Sequence, residues 1–344
     1  MPFKTAWPLG AALLMLLAGG CHPGSREEKP EAASPPAARP LLTLERTVPL
    51  PNVQGGFDLM ALDAAGQRLF VAAEDNHTVE VIDVRAGRAL TSLPGFDEPK
   101  WVVYRPEGNR LFVSTGGDGR VTELDGRTYR SVRHYAFREA CNNLRYDSLA
   151  HQLVVGVGKT FGALGLLDVA RNMKMGEIPL AGYAKQFELD GGRIYVNEPA
   201  LNQVEVIDRA TRRAVAVWPV AGAGQNIPMG LDRAHQRLFV ACAPGRLVVL
   251  STVDGRPVAS LPIPADADGL YYDARRARLY VSCGAGSLVV VQQQTPDRYA
   301  VLQLLPTVSG AGTSLYSPAL DRYFVALPQR PGQPAALRIY RPTP

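Results

Sequence analysis

Leu69 to Leu93 reads LFVAAEDNHTVEVIDVRAGRALTSL. Three runs of β-prone residues, Leu69 to Ala73, Val79 to Asp83 and Ala89 to Leu93, are separated by polar turns, and Met60-Ala61-Leu62-Asp63 supplies a fourth run just before them. Short runs punctuated by Gly, Asp and Asn clusters spell an antiparallel sheet of four strands. The anchor Leu69-Phe70-Val71 returns as Leu111-Phe112-Val113, Leu153-Val154-Val155, Ile194-Tyr195-Val196, Leu238-Phe239-Val240, Leu279-Tyr280-Val281 and Tyr323-Phe324-Val325, at steps of 42, 42, 41, 44, 41 and 44 residues. A period near 42 with four strands per copy predicts an all-β, seven-bladed propeller of four-stranded antiparallel blades. Helical periodicity is almost absent, which argues against a helical or leucine-rich solenoid.

The last copy stops after its third strand, Leu337-Arg338-Ile339-Tyr340, while Leu44 to Leu50 ahead of the first blade has the character of a fourth strand. The amino-terminal strand is therefore expected to close the seventh blade, where the vacancy would otherwise leave an open β edge. Asp63, Asp147, Asp190, Asp232 and Asp273 end first strands, and Asp83, Asp125, Asp168 and Asp208 end third strands. At such positions a carboxylate accepts from backbone N–H groups two residues on, so these nine read as turn residues.

Two segments, Leu69 to Leu93 and IYVNEPALNQVEVIDRATRRAVAVWPV from Ile194 to Val220, resemble the YVTN-type β-propeller repeat. The shared pattern is a hydrophobic-aromatic-Val start, an Asn-x-Val-x-Val-Ile-Asp middle and a Val-rich fourth strand. The resemblance covers residues 41 to 344 and is weakest in blades three and seven. Neither the Gly-His and Trp-Asp pairing of WD repeats nor the Gly-Gly doublets of kelch blades occurs.

Lys4 precedes an apolar run from Leu9 to Leu17, far short of the roughly 20 residues that span a bilayer, so residues 1 to 20 read as an export signal. Ala18-Gly19-Gly20-Cys21 resembles the bacterial lipobox, with Ala18 where Leu is usual. That resemblance implies Cys21 as the lipidated first residue of the mature protein; cleavage by ordinary signal peptidase is the alternative. His22 after the cysteine implies, by the same analogy, the outer membrane, facing the periplasm, with no transmembrane helix in the mature chain. Residues 21 to 40 are rich in Pro, Ala and Glu and read as a disordered, extended tether.

The net charge of +5 is mild for 344 residues. Arginine clusters at 127, 130 and 133, at 209, 212 and 213, and at 275, 276 and 278 sit in hairpin turns and read as a solvated rim. With no aromatic interleaving, no nucleic-acid partner is expected. Cys242 and Cys283 hold matching positions in adjacent blades, too far apart for a disulfide, and Cys141 precedes the first strand of blade three; all three read as small buried hydrophobes, against a disulfide or a metal site. No Cys-x-x-Cys occurs, so covalent haem and classical zinc sites are not supported. His77, His151 and His235 fall in turns on opposite faces and His134 in a fourth strand, so no three can converge on a three-His site.

Ligands of propellers tend to bind where the channel opens. Aligning the repeats on the residue that ends each first strand puts Asp58, Lys100, Asn142, Lys185, Ile227, Asp268 and Gly312 in one column at the channel mouth, with Asn143, Gln186, Asn226, Asp266 and Thr313 as hydrogen-bonding neighbours. Mixed charge in a concavity is a candidate ligand-binding site, set against a wetted channel with no specific ligand. One register further in, Arg145 and Glu188 share a position on adjacent inner strands and are expected to pair, first of all as a structural bridge.

Asn143-Leu144-Arg145-Tyr146-Asp147, Pro228 to Asp232, Asp266-Ala267-Asp268 and Thr313-Ser314-Leu315 also resemble mouth motifs of a secreted YVTN-type subgroup. Where that subgroup has Gly-His-Pro-Glu-x-Phe, this chain has Gly182-Tyr183-Ala184-Lys185-Gln186-Phe187, and Asn142, Gly269 and Gly312 replace further acidic or basic residues. Any acid/base or metal-dependent activity of the subgroup is therefore expected to be lost or altered. The favoured reading is a membrane-tethered envelope lipoprotein, a monomeric propeller without cofactor, acting as a non-enzymatic scaffold for an envelope protein or small ligand. The alternatives are a hydrolase or lyase of the lactonase kind using Asp58, Asn143 and Asp268 as oxygen ligands for calcium or magnesium, and a noncatalytic subunit of a periplasmic oxidoreductase.

Overall fold

The computed structural model describes residues 40–344 apart from positions 221, 223 and 226. The export signal, the tether up to residue 39, Cys21 and Asn226 lie outside the described residues. The chain forms seven four-stranded antiparallel sheets, and in six of them four consecutive strands pair in sequence order. The seventh contains Ser314–Ser317, Arg322–Leu327 and Ala335–Pro342, and is completed by Leu42–Leu50. First strands of successive blades lie against one another, as Met60–Asp63 does against Pro99–Arg105, and that strand against Cys141–Asp147. The sheets are thus the blades of a ring, a seven-bladed β-propeller.

The middle strands show why the repeat is anchored by an apolar tripeptide. Leu69, Phe70, Val71, Ala72 and Ala73 are all buried, because both faces of a blade's second strand pack on neighbouring blades and alternation is lost. The outer strand Arg88–Pro94 is almost wholly exposed. Seven apolar clusters fill the joints between blades, such as the one joining Phe70, Val79 and Val81 of blade one to Val102, Leu111 and Val113 of blade two. Each outer pairing carries a register shift, at Val81/Ile82 in blade one and at Leu44/Arg46 in the closing strand. Leu42–Leu50 therefore reproduces the geometry of a fourth strand, bulge included.

Eight of the nine aspartates cap turns, while Asp190 instead lies 3.4 Å from Arg233 of the next blade. Asp125 Oδ1 accepts from the N–H groups of Arg127 (3.0 Å) and Thr128 (2.9 Å), and Asp168 Oδ1 from Ala170 and Arg171. The arginine clusters need a correction. Arg127, Arg130, Arg212, Arg213 and Arg275 are exposed, but Arg209 and Arg276 are half-buried and Arg278 is buried. Arg209 of blade four pairs with buried Asp147 of blade three; Arg276 of blade six holds Asp273 (2.8 Å) and Asp321 of blade seven (2.8 Å). These side chains fasten blades together because a cap's second carboxylate oxygen remains free to meet a cation from next door.

Candidate functional site

An innermost strand has no partner on its channel side, so its carbonyls on that edge must find donors elsewhere. Side chains from the neighbouring blade supply them. Ser114 Oγ donates to Asn142 O (2.5 Å), Asn143 Nδ2 to Lys185 O, Asn197 Nδ2 to Ile227 O (3.0 Å), Ser282 Oγ to Gly312 O (2.5 Å) and Thr313 Oγ1 to Phe57 O (2.9 Å). Asn143 and Thr313, expected as ligand groups, are buried in these stitches, although Asn143 Oδ1 is left without a partner. Gln186 reaches across the channel, its Nε2 donating to Asp268 O (3.0 Å), and it lines the cavities at both ends.

Above Gln186 lies a chamber of about 170 Å³ lined by Asp58, Glu74, Asn142, Asn143, Lys185, Gln186, Ile227 and Asp268 among others. The column read from the repeats does converge here in large part. Lys100 is tied to Glu74 and lies 3.5 Å from Glu98. Asp266 stands close enough to Asp268 to oppose its ionisation. Asn226 lies outside the described residues. Glu74 was not anticipated. It follows the second strand of blade one, and because the second strand runs antiparallel to the first, the turn after it opens at the same end as the start of the first strand. That alternation was the available signal.

Burial, then the nearby Asp268 and Glu74 carboxylates, hold the Asp58 carboxyl well above its usual range, against the opposing pull of Lys100 and Lys185. Asp268 is pushed up to about 6, again by burial first, with Lys185 opposing. A carboxyl with a raised folded-state value binds its proton more tightly folded than unfolded. Stability from this group is present below the unfolded value and is lost as pH rises toward about 6. Asp268→Asn is expected to raise the melting temperature by about 2–6 °C at pH 8 and to leave it nearly unchanged at pH 4. Thermal unfolding at both pH values checks this; an equal shift at both would contradict it.

Below Gln186 the channel widens into a second chamber of about 700 Å³. Arg145 Nη2 lies 2.6 Å from Glu188 Oε1, Arg145 Nε donates to Phe187 O, and the guanidinium sits 5.3 Å from the Trp101 ring centre. The expected pair forms, but an ion pair acting only as a bridge between packed blades would be buried. The side chains instead keep 27% and 15% of their surface and face the cavity, because the wedge-shaped blades part at the axis.

Cys141, Cys242 and Cys283 are free and buried, and burial pushes the Cys242 and Cys283 thiols up to about 12. They act as packing atoms.

No protein-family profile matches the chain. A stretch of 98 residues is 29% identical to the uncharacterized protein YncE of Salmonella typhi, spanning 28% of each chain. The fold is a β-propeller. Among solved structures, a chain of Kuenenia stuttgartiensis hydrazine synthase superposes with a TM-score of 0.69 at 16% identity, over 79% of this chain and 92% of that one. A chain of a mitotic checkpoint complex gives a TM-score of 0.74 at 17% identity, over 92% and 97%. At such identities the likeness is one of architecture, which hosts unrelated activities.

Proposed function

We propose that this protein is an envelope lipoprotein of the YVTN-repeat type, anchored through Cys21 on the periplasmic side of the outer membrane, whose propeller is a non-enzymatic binding scaffold. The observation that carries the binding reading is the polar chamber at the mouth. With Lys100 held by Glu74, the carboxyls of Asp58 and Asp268 outnumber the Lys185 ammonium that lines the chamber with them, and a small polar ligand bearing an amine or other cationic group would balance them. The lipobox-like Ala18-Gly19-Gly20-Cys21 supports the anchor. No helix among the described residues is long and apolar enough to cross a membrane.

The test follows from both halves of the reading. Wild-type protein incubated with envelope extract is expected to retain a small cationic compound, detected by mass spectrometry, that Asp58→Asn/Asp268→Asn protein does not retain. Cys21→Ser protein is expected in the soluble fraction. Identical retention by both proteins, or membrane association without Cys21, would overturn the corresponding half.

One observation favours the cation-dependent hydrolase or lyase as a second reading. The Asn143 Oδ1 acceptor is buried without a partner in the chamber that also holds Asp58 and Asp268, and oxygen donors of this kind suit calcium or magnesium. Lys185 in the same chamber weighs against it by charge repulsion. Stoichiometric calcium in purified protein, lost on Asp58→Asn, would establish this reading in place of the scaffold.

A further inference from the structure

The chamber below Gln186 has a composition unlike that of the mouth. Its partly exposed wall carries an apolar and aromatic patch, Leu62, Val103, Leu189, Tyr271 and Leu315, beside polar groups such as Ser148, Arg209 and Arg233, and the Tyr271 hydroxyl is engaged in donating to Ser314 O (2.7 Å). Set into this wall is the Arg145–Glu188 pair. Arg145 is fixed by three contacts, to Phe187 O through Nε, to Glu188 Oε1 through Nη2 and to the Trp101 ring through its face. Those contacts leave Arg145 Nη1 and Glu188 Oε2, a donor and an acceptor of opposite charge on one ion pair, without a hydrogen-bond partner among the described residues, with Arg233 of the same wall as the further cation acting on Glu188.

A structural bridge alone does not require this arrangement. A cavity of about 700 Å³ is within the range that holds small organic ligands, and such sites combine an apolar lining with a few placed polar groups. The ligand that complements an adjacent guanidinium and carboxylate carries an adjacent carboxylate and ammonium. A singly charged ligand would meet only one member of the pair and forgo one charge-assisted hydrogen bond. We propose that the lower chamber binds an apolar α-amino acid, its carboxylate on Arg145 Nη1, its ammonium on Glu188 Oε2 and its side chain against Val103, Tyr271 and Leu315. Gln186 lies between this site and the mouth chamber and lines both.

Isothermal titration of the full-length chain with L-phenylalanine and L-leucine tests the assignment, with N-acetyl-L-phenylalanine and L-phenylalaninamide as probes in which one charge of the head is removed. The free amino acids are expected to bind one per chain, and each blocked derivative about 10-fold or more weaker, the usual effect of losing one charge-assisted hydrogen bond. Glu188→Gln keeps the shape of the wall and a hydrogen bond to Arg145 but removes the anion; it is expected to weaken L-phenylalanine about 10-fold while the protein remains folded. If that variant fails to fold, the wild-type comparison of free and blocked ligands decides alone. Equal binding of free and blocked ligands, or no saturable binding of either amino acid, would overturn the proposal.

Discussion

A chain lacking residues 41–50 is expected to lose most of its folding stability and to aggregate rather than purify as a monomer. The removed strand pairs along its length with Ala335–Pro342, from Leu42 opposite Pro342 to Leu50 opposite Ala335. Leu42, Val48 and Leu50 are all buried to within 2%. At about 2 kcal/mol for each such side chain, some 6 kcal/mol of apolar burial disappears, comparable with the whole stability of an ordinary domain at about 5–15 kcal/mol. Arg322 and Arg341 also lose Glu45, to which both are paired, and Leu41 N no longer meets Gln303 Oε1 (2.8 Å) of blade six. The uncovered edge of Ala335–Pro342 then presents unpaired N–H and C=O groups to other chains. Size-exclusion chromatography and thermal unfolding measure the outcome. A soluble monomer melting within about 5 °C of the intact chain would show that the closing strand is dispensable.

The same strand shows how far the sequence carried. Its role was legible because the repeat is a count, and a count that ends one strand short predicts where the missing piece must come from. The blades were legible for a similar reason, since seven copies of one apolar anchor average out local ambiguity. The mouth was legible only as a column. Lys185 and Asp268 could be placed at one level from strand ends, but which groups remain free depends on cross-blade bonds between residues 28 or more positions apart, such as Ser114 to Asn142 O, Asn143 to Lys185 O and Thr313 to Phe57 O. Nothing in the local pattern distinguishes an amide that stitches two blades from one that awaits a ligand. Glu74 lay in a turn read only as a connector, although strand direction placed it at the mouth.

Arg209→Ala is expected to cost about 3–5 kcal/mol, more than an exposed arginine at a hairpin could account for, and to lower the melting temperature by about 6–10 °C. Arg209 follows the third strand of blade four and reaches Asp147 at the end of the first strand of blade three. Asp147 is 2% exposed and also caps its own turn, accepting from Leu149 N (3.0 Å) and Ala150 N (3.1 Å) through Oδ1. Removing the guanidinium leaves an ionised, buried carboxylate facing a gap, and the uncompensated charge is what makes the change severe. Two variants separate this cause from lost packing. Arg213→Ala, at an exposed position of the same hairpin, is expected to change stability by less than about 0.5 kcal/mol. Asp147→Asn/Arg209→Ala keeps the turn-capping oxygen but removes the stranded charge, so it is expected to be more stable than Arg209→Ala alone. Denaturant unfolding of the three variants reads this directly. A double variant no more stable than the single one would mean that Arg209 acts through its packing, and that the cross-blade ion pair contributes little to holding blades three and four together.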